Sequence, residues 1–262
     1  MRIIKKYIKI WWMMSVNSFS VVLGQKYALL IFLIGKIFRF TFYFLFIFYL
    51  LKGAGNLAGY SVNQVILFFL VFNLVDVVTQ FLFRQVYSFR PMIIKGDFDL
   101  VLVKPINALF RVLMGGADLI DLITIPPLVI LTVVYMVRLH PSLSGIIIFL
   151  ALLLNSFIIA TAFYIAILAL AIITLEIDHA VMIYRDITNL GKVPVDIYKA
   201  PLKQVLTYVV PVGVMMTIPG KALMGLMTIG GVAASLFIGI LTMFLALRFW
   251  NFALTKYTSA SS

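Results

Sequence analysis

Residues 145–173 run for twenty-nine positions without a charged side chain. A helix needs about 20 apolar residues to cross the hydrocarbon core of a bilayer, so this run is long enough to cross alone. Lipid offers no partner to exposed backbone N–H and C=O groups, so such a run must close its own hydrogen bonds as an α-helix. Comparable runs lie at 27–51, 61–83, 113–137 and 228–250, and another begins near residue 204. They are continuous rather than alternating, which excludes a porin-type barrel. The expectation is an all-α membrane protein with six transmembrane helices.

Composition supports the same reading. Hydrophobic residues make up 64% of the 262 positions and charged residues only 11%, with a mean hydropathy of +1.14. A soluble domain holds about 45–50% apolar residues. The formal charge of +12, from 21 basic and 9 acidic residues, would suggest nucleic acid in a soluble chain. Here the bases fall in the gaps between apolar runs, as positive-inside topology requires, and no nucleic-acid partner is expected. With the N-terminus inside, sixteen of the 21 bases fall in cytoplasmic gaps, including 84–111 and 174–203, and three in outer links. That bias puts both termini in the cytoplasm. The absence of cysteine excludes disulfides, thiolate metal sites and a thiol nucleophile.

Residues 1–26 form a region of their own. Arg2, Lys5, Lys6 and Lys9 share one helical face, and Ile4, Tyr7, Ile8 and Trp11 share the other. This suits an amphipathic helix lying in the membrane interface. The segment lacks the apolar core and small-residue site of a cleavable signal peptide. The transmembrane domain is assigned to 27–262. Pro126 and Pro127 predict a kink in the third span. Pro211, Gly213, Pro219 and Gly220 predict a fifth span that crosses from about 204 and breaks into a re-entrant piece at 219–227.

Five ionisable residues fall inside the spans: Lys36, Arg39, Asp76, Asp118 and Asp121. Intramembrane charges are costly and are usually paired. Salt bridges between the first and third spans are expected, with Asp76 pairing inside the bundle or facing a cavity. A substrate-contact or gating role is the alternative. Gly231, Ser235 and Gly239 recur every four residues in the sixth span. Small residues at that spacing let helices approach closely, either within one subunit or at a subunit or gate interface.

No P-loop, zinc-protease or nucleophile-elbow motif is present. His140 and His179 fall in links on opposite sides of the membrane. The chain carries no catalytic or metal-binding set of its own.

The stretch 90–107 mixes apolar anchors with charges and ends near Pro105. It is too short for a domain and too apolar for a free loop. Its core, Ile94-Lys-Gly-Asp-Phe-Asp-Leu-Val-Leu-Val-Lys-Pro-Ile-Asn107, resembles a signature of ABC-2-type ABC transporter permeases, in a branch formerly catalogued as a family of unknown function. Gly191-Lys-Val-Pro194, Val210-Pro-Val212 with Pro219, and the ending from Arg248 through Trp250 to Ser262 are similar to later features of that branch.

The resemblance implies a transmembrane permease subunit of an ATP-driven exporter in the cytoplasmic membrane. It implies a second permease, identical or different, and separate ABC ATPase subunits that bind ATP and Mg. No cofactor is expected on this chain, and membrane lipids surround it. It further implies a cytoplasmic coupling helix at 92–104. The ATPase-contacting set would be Arg90, Ile94, Lys95, Gly96, Asp97, Phe98, Asp99, Leu100, Lys104 and Pro105. Two other readings stand beside it: an integral-membrane enzyme acting on lipid-linked substrates, which would purify as a lone active hydrolase, and an importer scaffold subunit.

Overall fold

A computed structural model describes residues 2–175 and 177–258. The Ser-Ala-Ser-Ser ending, 259–262, lies outside the described residues. Helix α1 (Arg2–Gly24) is followed by α2 (Lys26–Ala54) and α3 (Val62–Phe83). Short helices α4 (Phe89–Ile94), α5 (Asp97–Leu102) and α6 (Ala108–Leu113) lead to α7 (Leu119–Val137) and α8 (Leu143–Thr174). Then come α9 (Ile177–Asn189), a bent pair α10 (Leu202–Val209) and α11 (Gly213–Leu223), and α12 (Ile229–Lys256). No strand occurs among the described residues beyond one isolated bridge between Leu57 and Tyr60.

Polar side chains set where the long helices begin. The first turn of a helix leaves N–H groups without intrahelical partners, and a side-chain oxygen at the N-cap accepts from one of them. Asp118 does this for α7, accepting from the Ile120 N–H at 2.8 Å and the Asp121 N–H at 3.3 Å. Ser142 accepts from Gly145 at α8, and Thr228 from Gly231 at α12. The third span therefore starts at Leu119 rather than 113, because Gly115 and Gly116 interrupt the apolar run ahead of the Asp118 cap. Pro126 and Pro127 lie inside α7, which continues as one helix to Val137.

Among the described residues five helices are long and apolar enough to cross a membrane, α2, α3 with its continuation to Ile94, α7, α8 and α12, and the bent pair α10–α11 passes the same test only when its limbs are taken together. Helix α3 is their centre. Most of its side chains are buried, and it packs on α2, α7, α8 and α11. Helices α8 and α12 form the largest helix pair and run parallel. Asn155 meets Ser235, and further along both helices Leu168 and Trp250 share one buried cluster.

Contacts sort the connecting segments into two ends. At one end Lys6 donates to the Pro105 carbonyl, the Tyr7 hydroxyl accepts from the Asn107 N–H, Arg90 pairs with Asp178, and Tyr257 donates to Asp99. Helix α1, the 84–118 stretch, the start of α9 and the last described residues are thus neighbours. At the other end lie the α2–α3 link with Tyr60, the α7–α8 link, and the α11–α12 link.

The fifth passage departs from the apolar pattern. The pattern puts the crossing from residue 204 and the re-entrant piece at 219–227; the structure exchanges the roles. Residues 177–197 travel from one end to the other. Asp178 sits beside Arg90, Tyr184 packs tilted on Phe163 and edge-on to Tyr164, and Lys192 lies over Tyr43 and Phe72. Asp196 then accepts from the Tyr60 hydroxyl at 2.9 Å. The bent pair is the re-entrant element. Lys203 at its start and Lys221 near its finish both pair with Asp196, at 2.8 and 2.6 Å, so it enters and leaves at one end. Its limbs meet at 79°, and the break falls at 210–212 rather than at Pro219, which lies in the first turn of the helical stretch Ile218–Leu223. Residues 174–203 are therefore not one polar stretch on one side, and Lys199 and Lys203 join the end that holds Tyr60.

The chain has no cysteine, so single cysteines report accessibility without background. A cysteine at Lys199 is expected to react with a membrane-impermeant maleimide from the same face as one at Ser142, and from the opposite face to one at Val103. Labelling of positions 199 and 103 from one face would contradict the exchanged roles.

Candidate functional site

Two features stand out: a surface at the end that gathers α1 and the last described residues, and a charged cleft inside the bundle.

The surface is built on α4 and α5. Gly96 joins them with φ of 76°, a left-handed conformation that costs glycine little. The turn folds α5 back so that Phe98 is fully buried. Its ring packs edge-on to Phe89 at 5.1 Å and to Tyr257 at 5.0 Å, with Trp250 at 6.5 Å. Asp99 accepts from the Tyr257 hydroxyl at 2.9 Å. Burial, then this bond to a carboxylate, pushes the Tyr257 pKa up to about 12, so the hydroxyl remains the donor at any physiological pH. Arg90 reaches Asp178 at 2.9 Å. The ten residues of the sequence-derived set thus divide by position. Phe98, Asp99, Arg90 and Gly96 fasten the element to the bundle. Ile94, Lys95, Asp97, Leu100, Lys104 and Pro105 face outward. Val103, outside that set, is the most exposed of the outward apolar side chains at 80%, against 57% for Ile94 and 58% for Leu100. The apolar run from Leu100 to Val103 hides it from a reading based on charge.

The cleft lies among α2, α3, α7 and α9. It comprises a cavity of about 410 Å³ and a second of about 560 Å³ that share Lys36, Arg39 and Arg185. The first holds Asp76 and Lys192; the second holds Gln80, Arg84, Asp118 and Asp121. Lys36 pairs with Asp121, joining the first and third spans. The side chains are 17% and 4% exposed, so this pair is protein-enclosed. Asp118 pairs with Arg84 at 3.3 Å rather than with Arg39. Arg84 follows directly on α3, and a reading confined to charges within spans passes over it. Among the described residues, Arg39, Arg185, Lys192 and Asp76 form no ion pair. Lys192 has the face of Tyr43 at 4.4 Å, a cation–π contact. Arg185 and Lys192 belong to the cleft and not to a polar link.

In the small-residue stripe, Ser235 and Gly239 are buried inside the chain. The Asn155 side chain crosses from α8 and donates to the Ser235 carbonyl at 2.8 Å. A Cβ at position 239 would collide with that carboxamide. Gly231 is only partly buried, and the nearest atoms to its missing Cβ belong to Met227 and Thr228.

Several helices long and apolar enough to span a membrane, with a charged cleft among them, describe a polytopic membrane protein. A family model described as ABC-2 family transporter protein matches residues 37–261, and the chain belongs to that family. Its members are membrane components of transporters and not catalytic domains. No curated protein and no solved structure matches the chain.

Removing one member of a buried ion pair strands the other, at a cost of roughly 3–5 kcal/mol. Lys36→Met alone is expected to lower the thermal unfolding temperature in detergent sharply. Lys36→Met with Asp121→Leu is expected to recover most of that loss. Additive losses would show that the two groups do not interact.

Proposed function

We propose that the chain is the permease subunit of an ATP-driven exporter in the cell membrane, moved by separate ABC ATPase subunits that grip the α4–α5 element. The observation that carries this is the outward apolar face of Ile94, Leu100 and Val103, presented on a rigid mount. An exposed apolar patch beside charged residues is the usual mark of a partner surface. The mount is stiff because Phe98 is locked among aromatic rings and two charged contacts flank it. A force applied to that face would pass to α12 through Trp250 and Tyr257, and to α9 through the Arg90–Asp178 pair.

Sidedness follows from charge. The end that holds α1, α4 and α5 carries twelve basic residues, and the opposite end five: Lys52, Arg138, Lys199, Lys203 and Lys221. By the positive-inside rule the first end is cytoplasmic, where ATPases and their ATP and Mg reside. Helix α1 then lies along the cytoplasmic interface. Its Tyr7, Trp11 and Ser15 turn inward onto Phe110, Phe81 and the Ala117 N–H, while Ile4, Ile8 and Trp12 remain exposed to lipid. A second permease, identical or related, would complete the pathway. The exposed flank of α2, which shows Phe38, Phe42 and Tyr49, offers it apolar surface.

Replacing Ile94, Leu100 and Val103 together by serine is expected to abolish co-purification of an ATPase and its vanadate-sensitive hydrolysis, while the permease still folds. Phe98→Ala removes a fully buried aromatic and is expected to cost about 3 kcal/mol or more in stability, so it should fail by unfolding. Normal ATPase recovery with the triple variant would contradict the docking face.

A further inference from the structure

Among the described residues, three cations in the cleft have no carboxylate of their own. Arg39 and Arg185 line both cavities, and Lys192 lies in the first. The Lys36 charge is met by Asp121, and the Arg84 charge by Asp118. Only Asp76 offsets the rest, so the cleft is positive. A second observation points the same way. Gln80, one helical turn from Asp76 on α3, is 7% exposed, lines the second cavity, and has a buried amide nitrogen without a hydrogen-bond partner among the described residues. A buried donor without an acceptor is costly and rare. Beside it stand Arg39 and Arg185, so the donors outnumber the acceptors. The far wall of the first cavity is aromatic, from Phe40, Tyr43, Phe69 and Phe72.

We propose that this cleft binds an amphiphile with an anionic head, a phosphate or a carboxylate, whose apolar body lies against the α2–α3 aromatic wall. Arg185 and Arg39 meet the head by charge-assisted hydrogen bonds, and Gln80 supplies a neutral donor. Lys192 fixes the boundary between head and body, because its ammonium already lies over Tyr43. The head chemistry is shared by an anionic membrane lipid and by a soluble organic acid with an apolar tail. The proposal takes the permease reading as given only in treating the ligand as cargo. Binding is a property of the chain itself.

The test uses the purified full chain in a neutral maltoside detergent at low ionic strength, without ATPase. Loss of ATPase association therefore leaves the result readable. Dodecyl phosphate is titrated and thermal stabilisation is recorded. Saturable stabilisation is expected, weakened about tenfold by Arg185→Gln and by Lys192→Gln, the scale of one lost charged hydrogen bond. Arg138→Gln, in the link far from the cleft, should bind as the parent does. Arg185→Lys keeps the charge and should retain most of the binding. Because Arg185 has no ion pair, Arg185→Gln should unfold no earlier than the parent without ligand.

Native mass spectrometry separates the sources. Phosphatidylglycerol carried through purification and displaced by dodecyl phosphate identifies a lipid ligand. Dodecyl phosphate binding with no lipid displaced identifies a non-lipid amphiphile. Either result supports the proposal. Equal stabilisation by dodecyltrimethylammonium would overturn it. So would competition by inorganic phosphate at the same concentration as dodecyl phosphate, or loss of binding in Arg185→Lys as complete as in Arg185→Gln.

Discussion

A charge within a bilayer must face protein, water or another charge, because hydrocarbon solvates none of them. That constraint arranges this molecule. Helix α9 carries Asp178, Arg185 and Asp186, and the turn beyond it carries Lys192. Such a segment cannot present all its faces to lipid, so it can pass through the bundle only against other helices. Its apolar side, Ile177 and Val181, is buried with α8, and its Arg185 and Thr188 turn toward the cleft. Helix α3 is the converse: most of its side chains are apolar and buried, and of the polar ones in its middle and last turns Asn73 and Asp76 face the first cavity and Gln80 the second.

This explains which parts of the fold were legible in the sequence. The spans that face lipid or core are long and apolar, so α3 and α8 are found to within two residues, while α2 and α12 continue past the expected ends at 51 and 250 to Ala54 and Lys256. The bridge between first and third spans was legible as a class, because lone Lys and Asp residues in apolar runs need each other. The Arg84 partner of Asp118 was not, because Arg84 lies outside any apolar run. The fifth passage was misread for a physical reason. Hydropathy measures what a helix would offer to lipid, and α9 offers most of its polar atoms to protein. The apolar stretch after it is rich in proline and glycine and was read as the crossing. In the structure, Pro211 through Thr217 are all buried, so that stretch owes its apolarity to the protein interior.

The α4–α5 element shows a similar split. Its position was legible from the mixed pattern around Gly96. The inward or outward direction of each side chain was not, because a two-helix turn with a left-handed glycine breaks the periodicity that assigns faces. Phe98 reads as an exposed anchor in sequence and is the most deeply held residue of the element. Val103, outside the sequence-derived contact set, is the most exposed apolar side chain of the element.

The two ends of α9 connect these parts. Its first turn is tied to the α4–α5 element through Asp178 and Arg90. Its last turns supply Arg185, Asn189 and Lys192 to the cleft, and Asp196 just beyond ties both limbs of the re-entrant pair. One short polar passage therefore touches the proposed motor contact, the charged cleft and the far end of the bundle. That passage is a contiguous physical route among the three. Helices α8 and α12 are bound along their length, with Asn155 wedged at Gly239. Helix α9 is held mainly at its ends and along one face of α8. Arg90 is therefore linked through α9 to Arg185, which lines the cleft together with Arg39 on α2.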